Sequence, residues 1–155
     1  MKSFFHILLI LTIPFFGITQ FTDNFTDGNY TSNPAWTGDT SEFQITTNEL
    51  QLNAPAVSGS NYLCTSSQAI NAASWEFRVK LAFNPSSSNY AKVFLVSNSS
   101  NLSGNINGYY VLIGGTNDEV SLFSQSGSST SKIIDGRDGI LNSSAIDVKI
   151  RATRS

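Results

Sequence analysis

The chain has 155 residues, a formal net charge of −2 and only 13% charged residues, which is enough for one domain. That balance gives no electrostatic basis for binding nucleic acid or an anionic membrane surface. One histidine, His6, and one cysteine, Cys64, are too few for a zinc site of the usual kinds or for a histidine-dependent nucleophilic triad.

Met1-Lys2-Ser3 is a short positive start, and Phe4 to Phe16 is apolar apart from His6, Thr12 and Pro14. That run is shorter than the ~20 residues of a membrane-spanning helix. It has the length of a signal-peptide core, ~7–15 residues. Gly17-Ile18-Thr19 then supplies small residues at a cleavage site. The pattern predicts a signal peptide over residues 1–19, a mature chain starting at Gln20, export to the medium or cell surface, and no membrane association after cleavage. Cleavage removes His6 and Lys2 and leaves eight basic against eleven acidic residues, a net charge of −3. A lone Cys64 closes no intramolecular disulfide. Among apolar neighbours it reads as a small core-filling residue; a reactive thiol is the sharper alternative, with no histidine near it in sequence to activate it.

From Gln20 onward the chain shows short alternating runs between turn residues, and no apolar helical spacing sustained over three turns. This is the pattern of an all-β sandwich or barrel. Glu42–Ile45 and Glu49–Leu52 flank Thr46-Thr47-Asn48 and predict a hairpin. Trp75 to Phe83 is the clearest strand: Trp75, Phe77, Val79, Leu81 and Phe83 share one face, and Glu76, Arg78 and Lys80 share the other. Tyr90 to Ser97 is more continuously apolar, so both of its faces are expected to be partly covered. Gly108–Gly115 and Glu119–Ser124 predict a second hairpin about Thr116-Asn117-Asp118. Ser131–Asp135 and Asp147–Thr153 read as further strands. Val148 and Ile150 in the last of these ask for apolar neighbours, so the chain reads as the front part of a longer protein, with the C-terminal strands of this module missing.

Few residues could carry chemistry. Paired carboxylates at alternate strand positions, as glycoside hydrolysis on a sheet would use, do not occur; Asp118 and Glu119 are adjacent and point to opposite faces of a strand. The segment therefore reads as non-catalytic. Asp23, Asp27 and Asp39 offer the hard oxygen ligands calcium takes, in no EF-hand spacing. The simpler reading is Asx-turn acceptors, so no cofactor is called for beyond a structural calcium. Asp135-Gly136-Arg137-Asp138-Gly139 presents the same choice. Rings can stack on the apolar face of a sugar, and Tyr90, Tyr109, Tyr110 and Trp36 are the candidates. Aromatic residues in alternating strands are more commonly core, and Trp36 in particular reads so.

Three stretches carry a family resemblance. They are Phe21-Thr22-Asp23-Asn24-Phe25-Thr26-Asp27-Gly28, then Pro34-Ala35-Trp36-Thr37-Gly38-Asp39, and then Phe43-Gln44-Ile45 with Glu49-Leu50-Gln51-Leu52-Asn53-Ala54-Pro55. With Gly108–Gly115 and Lys132–Gly136, they resemble a laminin G-like (concanavalin A-like) module at the front of a secreted bacterial protein. The resemblance covers nearly all of the mature chain, residues 20–155. It implies an antiparallel two-sheet jelly roll, a longer parent with downstream domains, and in such parents a sorting signal for type IX secretion. Related laminarinase-type hydrolases carry Glu-x-Asp-x-x-Glu, which is absent here, so no catalytic residue carries over. The expected function is a non-catalytic extracellular module binding polysaccharide or cell-surface glycan, or serving adhesion. The alternatives are a structural spacer and an accessory module of a hydrolase whose catalytic domain lies beyond residue 155.

Overall fold

Alternation of apolar and charged residues lets one strand cover a core and face water at once. Two long strands of this chain do so as a pair. The computed structural model describes residues 22–155, so the predicted signal peptide, Gln20 and Phe21 lie outside the described residues. The described strands are β1 (Thr37–Gly38), β2 (Phe43–Thr46), β3 (Glu49–Leu52), β4 (Leu63–Cys64) and β5 (Ala73–Leu81). They continue with β6 (Ala91–Ser97), β7 (Ile106–Gly114), β8 (Glu119–Gly127), β9 (Ser129–Ile134) and β10 (Ile146–Arg154).

β5 pairs antiparallel with β10 over all nine residues, from Ile146 opposite Leu81 to Arg154 opposite Ala73. β6, β7, β8 and β9 form a four-stranded antiparallel meander. The inward faces of these two sheets share the core. Leu81, Val111, Ile113, Ile146 and Leu141 are its buried centre, and Phe77, Val79, Val93, Leu95, Leu122, Val148 and Ile150 pack around it. Ile113, at 0% exposure, is its most enclosed member. The predicted neighbours of Val148 and Ile150 are thus supplied by β5 and by the meander. The result is an all-β, sandwich-like fold of antiparallel sheets.

The first hairpin forms where the sequence predicts it, β2 against β3. Thr47 and Asn48 both take positive φ, 52° and 61°, the left-handed pair that a two-residue turn needs to match strand twist. Lys80 on β5 pairs with Glu49 on β3 and ties this hairpin to the longer sheet.

Boundaries depart from expectation at the polar end of the meander. β8 runs on to Gly127 and β9 begins at Ser129, so the Ser-rich stretch expected to connect two strands is itself strand. Ser126 pairs with Ser129 around a two-residue tip, and Gly127 (φ 61°) supplies the left-handed backbone there. Backbone pairing needs no apolar side chain, so composition alone hides these residues.

Candidate functional site

The outward face of the four-stranded sheet is assembled from alternate residues of its strands. Opposite Tyr110 on β7 stand Phe94 on β6 and Phe123 on β8, and Phe123 stands opposite Lys132 on β9. This row therefore crosses the whole sheet on one face. The Tyr110 and Phe123 rings stack, with centroids 5.3 Å apart and planes 3° from parallel. Phe94 tilts against Tyr110 at 5.2 Å and 50°. The Lys132 ammonium lies 6.0 Å from the Phe123 centroid.

One register step along β6, Lys92 stands opposite Leu112. Its ammonium lies 4.8 Å from the Tyr110 centroid and 5.5 Å from that of Tyr90, a cation shared between two rings. Burial against this surface lowers the Lys92 pKa and raises that of Tyr110, because each loses water around its charged form. No carboxylate pairs with Lys92 among the described residues.

At the other edge of the face, Lys132 is gripped by two carboxylates. Its Nζ donates to Glu119 Oε1 at 2.5 Å and to Asp135. The ammonium draws the Asp135 carboxyl below its ordinary range, and the two carboxylates push the Lys132 pKa up. Glu119 is only 3% exposed, and its second oxygen, Oε2, is buried without any hydrogen-bond partner. A buried acceptor left unmade costs about 1–3 kcal/mol, so its presence asks for a reason.

A glycine sets the height of one wall. Gly114 holds φ +102°, and a Cβ there would stand 2.4 Å from Pro85 Cβ and 3.5 Å from Tyr90 Cβ. The chain leading into β6 thus lies directly on β7, and brings Tyr90 beside Lys92.

The three candidate tyrosines do not form one surface. Tyr90 is 41% exposed and available as a stacking ring. Tyr110, expected as an exposed ring, is only 4% exposed: flanked by Phe94, Phe123 and Lys92, it forms the floor of the face. Tyr109 alternates with Tyr110 and so points the other way, toward the open end between the sheets. There, 38% exposed, it meets the Arg154 guanidinium at 5.7 Å. Strand geometry makes this separation unavoidable for adjacent residues.

The aspartates taken as calcium candidates each accept hydrogen bonds within the protein. Asp23 accepts from the Phe25 N–H at 2.9 Å and from Trp36 Nε1 at 2.8 Å. Asp27 accepts from the Asn29 backbone and side chain. Asp39 Oδ2 accepts from the Tyr62 N–H at 2.9 Å, and the Asp39 N–H returns a bond to the Tyr62 carbonyl. The first two are Asx-turn bonds and the third joins two segments. Among the described residues no three His, Cys, Asp or Glu side chains gather within reach of one metal ion. In the Asp135–Gly139 loop the acids also work separately, Asp135 on Lys132 and Asp138 with the Asn117 amide. Cys64 is free and half-buried beside Thr37 and the Ser100 carbonyl, at the small β1–β4 pair rather than in the central core.

No family model, curated protein or solved structure matches the chain. The laminin G-like resemblance therefore rests on the residues quoted for it.

Lys92, Phe94, Glu119, Phe123 and Lys132 are the residues of this face that sequence reasoning missed. Their register was not legible in the sequence: the predicted turn Thr116-Asn117-Asp118 would set Phe123 opposite Val111, whereas the connection is one residue longer and sets Phe123 opposite Tyr110 and Ser121 opposite Leu112.

Proposed function

We propose that the chain is a non-catalytic, exported β-sandwich module that binds polysaccharide on the outward face of its four-stranded sheet. The observation that carries this reading is the ring-lined outward face itself, with Tyr90 exposed beside Lys92 and the Tyr110–Phe123 stack under it. Sugar recognition needs an apolar surface for the ring faces and fixed polar groups for the hydroxyls. Tyr90 provides an exposed ring, Lys132 a donor and Glu119 an acceptor lacking its donor. Lys132 is held by two carboxylates; leaning onto Asp135 alone would open Glu119 to a ligand hydroxyl.

We read the sandwich further as the laminin G-like jelly roll of a larger surface protein. Supporting this are the long β5–β10 pair and the meander packed on it. Affinity electrophoresis of the protein through gels containing cellulose derivatives, starch, β-1,3-glucan, mannan, pectate or alginate tests the binding role. Retardation by at least one polymer, lost in Tyr90→Ala and in Glu119→Gln, is the expected result. Unretarded migration in every gel would leave the domain as a spacer.

A further inference from the structure

The cations of the strands divide into two kinds. Arg78, Lys80, Lys132, Lys149 and Arg151 each bond to a carboxylate. Lys92 and Arg154 do not, among the described residues: Arg154 sits on Tyr109, away from this face, and Lys92 sits on the faces of Tyr90 and Tyr110. Ring faces hold a cation more weakly than a carboxylate does, and a partly desolvated ammonium gains most from an anion that arrives with a ligand. The sheet also fixes where that anion can go. Glu119 and Asp135 hold the far edge negative around Lys132, so an acid group is repelled there and attracted at Lys92. Lys92 and Glu119 lie two strands apart and two residues apart along them, about 12 Å at the usual strand dimensions.

We infer that the ligand is an anionic polysaccharide, seated across the sheet with an acid group on the Lys92 ammonium and hydroxyls toward Lys132 and Glu119. The inference rests on the glycan-binding reading above and adds the ligand's charge and its direction on the face. Tyr90, beside Lys92, then stacks on the sugar unit that carries the acid. A span of two strands exceeds one sugar ring, so an oligomer binds better than its monomer. Carboxylate and sulfate share the chemistry Lys92 would recognise, and the probes separate them.

The test is titration of the protein with alginate, dextran sulfate and neutral laminarin, followed calorimetrically at low and at physiological salt. The unsubstituted protein is compared with Lys92→Gln, Lys92→Arg and Lys149→Gln, each checked for folding by circular dichroism. The expected result is binding to alginate, to dextran sulfate or to both, in preference to laminarin, and weakened by salt. Lys92→Gln should weaken it about tenfold or more, the usual loss of a charge-assisted bond, while Lys92→Arg retains it and Lys149→Gln leaves it unchanged. Acidic binding insensitive to Lys92→Gln, or preference for laminarin, overturns the inference and leaves the glycan reading standing. Absence of binding to these probes and to every polymer of the electrophoresis panel overturns both.

Discussion

The two sheets present outward faces of the same geometry and opposite character. On β5 and β10, Arg78 and Asp147 lock in a fork, with Arg78 Nε 2.6 Å from Asp147 Oδ1 and Nη2 2.5 Å from Oδ2. Glu76 takes both Lys149 at 2.6 Å and Arg151 at 2.7 Å, and Lys80 takes Glu49. Every charge on that face answers another, and all are well exposed to water. On the meander, rings cover one another, and among the described residues one lysine has no anion and one buried carboxylate oxygen has no donor. A face whose polar groups are mutually satisfied needs nothing further; one with leftover donors and acceptors on a ring-lined surface is arranged for a partner.

That contrast predicts where outward substitutions hurt. Tyr110→Ala, though on an outward face, should behave as a core deletion and cost about 3–5 kcal/mol in urea unfolding, because it removes the ring between Phe94 and Phe123. A loss no larger than that of an Arg151→Ala variant would erase the distinction between the faces. Tyr110→Phe keeps the stack and gives up only the hydroxyl, for about 1 kcal/mol or less.

Lys132→Met should destabilise more than Lys149→Met. The first leaves the buried Glu119 carboxylate with no cation, while the second leaves Glu76 still held by Arg151. Equal unfolding midpoints for the two would contradict the asymmetry.

The smallest effect is the acid response of the ladder. Lys149 and Arg151 hold the Glu76 carboxyl below its ordinary range, and Arg78 does the same to Asp147. Folded pKa values below the unfolded ones mean that the stabilisation is complete above the ordinary carboxylate range. It is lost as pH falls through the folded values. Urea midpoints followed from about pH 6 down to about pH 3 should therefore decline, and decline less steeply in Asp147→Asn.

Legibility from sequence followed the same division. β5 was readable because its alternation is complete: five apolar residues inward and three charges outward settle both strand and orientation. The β2–β3 hairpin was readable from its turn residues. The meander strands were readable as strands, but not their facing, since Tyr109-Tyr110-Val111-Leu112-Ile113 is apolar on both sides. Only pairing with Phe94 and Phe123 reveals which tyrosine lies under the ring cluster. Glu119 was visible merely as a neighbour of Asp118. Its burial depends on Lys132, thirteen residues on and brought beside it by the hairpin turn at Gly127-Ser128. A site drawn one or two residues from each strand leaves no local motif.

The central claim is that the meander's outward face, and not the charged ladder, meets the ligand. Calorimetric titration with alginate and with the polymer that most retards the protein in gels compares two double variants, Tyr90→Ala/Lys92→Gln and Lys149→Gln/Arg151→Gln. The account predicts that the first loses binding while remaining folded, and that the second binds as the unsubstituted protein does. Binding lost in the ladder variant and kept in the Tyr90/Lys92 variant would contradict it.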